Sequence, residues 1–278
     1  MSEGSPDAPE ALPTSDPEPL RLERDAGPLA YVDEGPKEAP AILAVHGIPG
    51  SLRDFRYLAP QLVPRVRLVR VDLPGFGGSA PHAPAVASLA GRASALVELA
   101  DHLGIERFSV LGHSMGGATA LVTASEHRDR VRAVVLVASV GLRPHRGLGM
   151  SPRRFRLLGH GFKVPLLRHL FVRAARDRYK RRRFPGADAL DATTFAVHFE
   201  AIGAADFALL QRVVTGPLPP ILMAFARDDH MVDAAIQDEL QAALPQARVL
   251  AFGTGGHNIQ KTRAVELGRA VAELLGVA

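Results

Sequence analysis

The sequence predicts an α/β protein: an eight-stranded, mostly parallel sheet with helices on both faces, interrupted by a helical insertion. Three observations carry this. Unbroken apolar runs such as AILAVHG (41–47) and VRAVVLVAS (131–139) read as buried strands. Amphipathic segments such as VASLAGRASALVELADHLG (86–104) alternate with them, and strands alternating with helices build a parallel sheet covered on both sides. The alternation breaks off at about 141–216, where the chain turns basic and rich in Phe and Leu, and then resumes.

Taken in order, LRLERD and LAYVDEG are two short strands joined through Gly27-Pro28 as an antiparallel hairpin. AILAVHG is the first buried strand. SLRDFRYLAPQL (51–62) is predicted as one helix, with Ser51 as N-cap and Asp54 three residues on, close to a capping box. VRLVRVDLPG (66–75) is a strand, and the helix at 86–104 closes on Gly104. RFSVLG, MGGATALVTASEH and VRAVVLVAS follow as strand, helix and strand. After the insertion come the strand PPILMAFARDD (219–229), the helix DAAIQDELQAAL, the strand ARVLAFG and the closing helix RAVELGRAVAELLG. No internal repeat is present.

Composition bounds the reading. With 278 residues, 47% apolar and 22% charged, the chain suits one large domain, or one domain with an inserted subdomain. The absence of cysteine excludes disulfides, thiolate metal sites and a cysteine nucleophile. No apolar stretch approaches the roughly 18 residues of a membrane span. MSEGSPDAPEALPTSDPEP lacks the basic and apolar regions of a signal peptide, which predicts a disordered tail over 1–19 and a cytoplasmic protein. The core is then 20–140 and 217–278, and the insertion 141–216. The net charge is +4, unevenly spread. The insertion holds about 15 Lys/Arg against about 5 Asp/Glu, so a basic element sits inside an acidic one.

The chemistry concentrates at strand ends. Gly112-His113-Ser114-Met115-Gly116 fits G-x-S-x-G between a strand and a helix, the context in which such a turn exposes a serine Oγ. The turn is too tight for a Cβ at the flanking glycines, and the helix N-terminus directs amides and dipole at an anion forming there. A serine needs a base, and the base an orienting acid. MAFARDDHMVD offers Asp228 and Asp229 after a strand, and FGTGGHNIQ offers His257 after the last strand. In HGIPG (46–50) the Ile48 amide joins that of Met115 as an oxyanion donor, with Gly47 between it and His46. His46 and His113 are read as buried supports. His145, His160, His169 and His198 fall in the insertion, where surface placement is the default. No histidine pair has metal-ligand spacing, so no metal is proposed.

HGIPG, VDLPGFGGS (71–79), GHSMGG and GGHNIQK, in this order, make the chain resemble the α/β-hydrolase superfamily from about residue 20 onward. The resemblance implies Ser114 as nucleophile, His257 as base and Asp229 as acid, with Asp228 its neighbour. The family's G-x-x-D pattern is met here by AFARDD, which has Ala226 in place of the glycine. Asp72 matches a structural turn. A serine at the elbow, where dehalogenases and epoxide hydrolases of this fold carry aspartate, implies acyl chemistry on an ester, thioester or lactone. C–C bond hydrolysis, amide hydrolysis, perhydrolysis and a non-catalytic binding protein are the alternatives. The implied mechanism needs no cofactor. The insertion corresponds to a cap over the site, where Phe155, Phe162, Phe171, Phe184, Phe195, Phe199 and Phe207 suit a small-molecule substrate with an apolar portion. VRAARDRYKRRRF (172–184) is read three ways: a solvated helix face, recognition of an anionic substrate, or docking to an anionic membrane or nucleic acid. No nucleic-acid fold signature is present. Oligomeric state is left open.

Overall fold

The computed structural model describes residues 16–80, 87–181, 188 and 190–278. Most of the predicted tail, and Phe184, lie outside them. Eight strands form one sheet: β1 (Leu20–Leu22), β2 (Leu29–Glu34), β3 (Ala41–Val45), β4 (Arg67–Val71), β5 (Phe108–His113), β6 (Val131–Val137), β7 (Ile221–Ala226) and β8 (Arg248–Phe252). Their spatial order is β1-β2-β4-β3-β5-β6-β7-β8. The predicted hairpin is present, with β2 antiparallel to both β1 and β4. Every other pairing is parallel. The order reverses at β3, whose neighbours are β4 and β5, so the loops leaving β3 and β5 face each other across a crevice.

Strand alternation divides the core into two layers. Leu43 and Val45 of β3 face one side with Val69, Val110, Leu136 and Met223. That side is covered by α2 (Leu89–His102), α3 (Met115–Glu126), α7 (Phe207–Val214) and α8 (Ala234–Ala243). Ile42 and Ala44 face the other side with Leu68, Leu111, Val135 and Leu222, under α1 (Ala59–Leu62) and α10 (Ala264–Leu275). The α2 N-cap is Ser88, whose side chain accepts from the Gly91 amide at 3.0 Å.

The predicted helix over 51–62 is two pieces. A 3-10 turn over Leu52–Phe55 carries the expected Ser51/Asp54 capping box, and α1 starts at Ala59 with Pro60 in its first turn. Proline has no N–H for an i−4 carbonyl and clashes with the preceding turn, so it opens a helix better than it continues one.

Between β6 and β7 lie α4 (Pro152–Gly161), α5 (Arg168–Arg181), α6 (Ala192–Gly203) and α7. Phe155, Phe162, Tyr179, Phe195, Phe199 and Ile202 form a third apolar cluster. Ile48, in the β3 loop, packs against both this cluster and the first layer. Among the described residues no single helix is long and apolar enough to cross a membrane.

Candidate active site

The turn after β5 is held by backbone crowding. A Cβ on Gly112 would stand 2.2 Å from the Gly116 carbonyl oxygen, and one on Gly116 would stand 2.3 Å from that of Val45. Only glycine lets α3 approach the sheet this closely. Ser114 accordingly has φ 53° and ψ −119°, a conformation that costs a non-glycine residue about 1–3 kcal/mol and persists only where its surroundings enforce it. They do so through three backbone hydrogen bonds. The Ser114 amide donates to Val137 O at 2.9 Å, and its carbonyl accepts from Gly117 N at 3.0 Å and Val140 N at 3.2 Å.

The β3 loop closes on the serine from the other side of the crevice. A Cβ on Gly47 would lie 2.9 Å from Ser114 Cβ. Neither the Ile48 nor the Met115 amide donates to a loop, turn or cap carbonyl, and Met115, as the first residue of α3, has no acceptor within its helix. Two amides are thus left beside Ser114. His46 secures the loop: its Nδ1 donates to Gly47 O at 2.6 Å and its Nε2 accepts from Leu73 N at 2.9 Å. Burial holds its pKa below the ordinary histidine value. Asp72 ties down the same region, accepting from Leu52 N at 2.7 Å and Gly78 N at 2.8 Å.

The two aspartates after β7 have different partners. Asp229 Oδ2 accepts from His257 Nδ1 at 2.8 Å, while its Oδ1 accepts from Met231 N at 2.7 Å and Val232 N at 3.0 Å. Burial pushes this carboxyl's pKa up, but the hydrogen bonds and the charge of His257 bring it below the usual carboxylate value. Asp228 instead accepts from Gly256 N at 2.8 Å and Gly255 N at 3.3 Å, which anchors the loop that presents His257. With Nδ1 donating to Asp229, the His257 Nε2 lone pair remains available to take a proton. His113 Nε2 donates to His257 O at 3.0 Å, and the two rings lie 4.8 Å apart. Burial drives the His113 pKa down to about 3, so this support is neutral. Among the described residues no hydrogen bond joins Ser114 Oγ to His257, although both line one cavity. Such contacts often tighten only when substrate binds.

That cavity has a volume of about 1650 Å³ and receives Gly47, Ile48, His113, Ser114, Met115 and His257 from the sheet side. The insertion adds Phe155, Phe162, Tyr179 and His198, together with the cations Arg146, Lys163, Arg168, Arg178 and Arg181. Asp54 and Glu200 are its carboxylates, and Glu200 already faces Lys163 at 3.5 Å.

Two residues overturn the expectation of surface placement: His145 is 7% exposed and His198 2%. Both line the cavity, each with an Nδ1 that lacks a partner. Burial lowers their pKa values to about 4 and about 3. For His198 a signal existed, since Phe195, His198, Phe199 and Ile202 recur at helical spacing and place it on the buried face of α6. His145 stands in an irregular loop with no such pattern. His160 and His169 are exposed as expected. Among the described residues no three His, Asp or Glu side chains group as a metal site.

A family model for the alpha/beta hydrolase fold matches residues 40–156, which hold the β3 loop, the Ser114 turn and the start of α4. The eight-stranded order above is that fold, and an enol-lactonase from Burkholderia xenovorans superposes on it with a TM-score of 0.73. The two chains are 24% identical over 92% of this chain and all of the other. The chain has the alpha/beta hydrolase fold. Two relatives span most of its length. The magnesium-chelatase 30 kDa subunit of Rhodobacter capsulatus is 27% identical, covering 96% of this chain and 99% of its own. The sn-1-specific diacylglycerol lipase of Mus musculus is also 27% identical, covering 89% and 85%.

Proposed function

We propose that this protein of the α/β-hydrolase fold is a serine hydrolase that cleaves an ester-like bond, in a carboxylic ester, thioester or lactone, through an acyl-enzyme on Ser114. The observation that carries the reading is the 2.8 Å hydrogen bond between Asp229 and His257 on the wall of the cavity that Ser114 also lines. His257 Nε2 takes the hydroxyl proton as Ser114 Oγ attacks the carbonyl carbon, and Asp229 holds the ring's tautomer and stabilises its charge. The negative charge gathers on the former carbonyl oxygen, where the Ile48 and Met115 amides receive it. Collapse expels the leaving group with the proton from His257. Water then attacks the acyl carbon, gives its proton to His257, and frees Ser114 with the acid as second product.

The partner is a small molecule. Its apolar portion lies against Phe155 and Phe162, and an anionic group is suited by the five cations of the wall. The similarity to a diacylglycerol lipase supports the ester assignment, in a fold shared with an enol-lactonase. A second reading, a non-catalytic member acting within an assembly, is favoured only by the full-length similarity to a chelatase subunit.

Nitrophenyl esters graded in acyl length and charge test the proposal under rapid mixing. A burst of one nitrophenol per enzyme followed by steady turnover is expected. Folded protein that gives neither burst nor turnover across the series rejects the enzyme reading and leaves the second.

A further inference from the structure

Residues 141–176 contain nine Lys/Arg and no Asp or Glu. The same stretch carries most of the exposed large apolar side chains among the described residues. Among the described residues, five of the seven exposed large hydrophobic side chains are Leu157, Val164, Leu166, Leu167 and Leu170, with Leu166 82% and Leu157 71% exposed. They sit on α4, on the loop after it and at the start of α5. Phe171 holds these parts together by packing its ring 5.7 Å from that of Phe162 and against Gly161. Scattered surface leucines need no explanation, whereas a cluster of them in a soluble fold marks an interaction surface.

The charge of this segment identifies what covers it. A second copy presenting the same face would bring two carboxylate-free cationic stretches together, which repel. Leucines interleaved with Arg and Lys fit an anionic bilayer, where apolar side chains enter the acyl boundary and the cations meet headgroup charge. Arg168 has no ion-pair partner among the described residues, and the exposed Arg153, Arg154 and Arg173 have none there either. The segment also borders the cavity, because Phe162, Lys163 and Arg168 belong to its wall. We infer that the α4–α5 segment docks the protein onto anionic membrane surfaces, inserting Leu157, Val164, Leu166, Leu167 and Leu170 and presenting the cavity to amphiphiles in the bilayer. This inference stands on the surface alone and does not require the esterase reading.

The test is co-sedimentation of the full chain with vesicles of phosphatidylcholine, alone or mixed with phosphatidylglycerol. Binding to the mixed vesicles that weakens with added salt is expected, with about tenfold less on pure phosphatidylcholine. Leu166→Ser/Leu170→Ser and Arg153→Gln/Arg154→Gln/Arg173→Gln should each weaken that binding about tenfold. None of these residues lines the cavity, so thermal melting and turnover of a water-soluble ester should stay as in the parent. Absence of wild-type binding to the mixed vesicles overturns the inference, as does binding indifferent to phosphatidylglycerol and salt. A chain that self-associates through this face, shown by gel filtration that Leu166→Ser/Leu170→Ser returns to monomer, overturns it in favour of a second copy. Oligonucleotide binding without vesicle binding overturns it in favour of nucleic acid.

Discussion

The turn after β5 and the segment from α4 to α5 both contribute to the lining of one cavity and obey opposite rules. At the turn each glycine is forced by backbone within 2.2–2.3 Å of where a Cβ would stand, and Ser114 is held at positive φ by three backbone hydrogen bonds. The nearby polar side chains His46, Asp72, Asp228 and Asp229 are bonded to amides, a carbonyl or a ring nitrogen. In the α4–α5 segment, by contrast, leucines and a valine face solvent. On the proposed reading, the sheet holds Ser114 through the main chain, where little can vary. The insertion lines the cavity through side chains, where much can vary. Ile48 touches both the sheet core and the insertion's cluster, so the amide beside Ser114 rests on the contact between the two regions.

Substitutions in the two regions should therefore differ in kind. The largest effect is expected at Ser114→Ala, which should lower kcat by about 10⁵-fold while leaving the melting temperature near the parent's, read by ester turnover and thermal denaturation. Next, the paired aspartates separate acid from anchor. Asp229→Asn should cost about 10⁴-fold in kcat by disturbing the His257 tautomer, whereas Asp228→Asn should cost no more than about tenfold by loosening the Gly255–Gly256 loop. Equal losses at both positions would break this assignment. Gly112→Ala should destabilise the fold by about 3 kcal/mol or more, seen as a lower denaturant midpoint, because the added methyl meets backbone that cannot move aside.

The smallest effect is a dependence on pH. His113, His145 and His198 have pKa values lowered by burial to about 3, about 4 and about 3, against about 6.5 in an unfolded chain. Between those values the unfolded chain binds protons that the folded one does not. Stability should thus fall as pH falls from about 6.5 towards about 4, each histidine contributing up to about 1.4 kcal/mol per pH unit. Asp229, whose pKa is lowered, adds a loss in the same direction at lower pH. His198→Phe, placed between the stacked rings of Phe76 and Tyr179, should flatten the slope of unfolding free energy against pH by about a quarter, since burial lowers the pKa of His46 as well. An unchanged slope would show that His198 takes up its proton while folded.

Much of the core was legible because its signals are local. Apolar runs give the strands, and G-x-S-x-G gives the turn. Which aspartate meets His257 was not decided by the residues alone, because Asp228 and Asp229 are adjacent and only the turn after β7 determines where each side chain points. The break at Pro60 was readable from proline's missing N–H, yet the capping box at Ser51 drew the helix through it. His145 was beyond reach, since an irregular loop has no period to show which side is buried. The exposed leucines of α4 and α5 were hidden by composition, where Leu reads as core until its neighbours are known.

On the proposed reading Ser114 is an activated nucleophile served by His257. Treatment with a fluorophosphonate, followed by intact mass and peptide mapping, tests it most directly. One adduct per chain on Ser114 is expected, with labelling lost in Ser114→Ala and greatly slowed in His257→Ala. Folded wild-type protein that stays unlabelled, or that labels equally fast without His257, would show that Ser114 is not activated by this histidine.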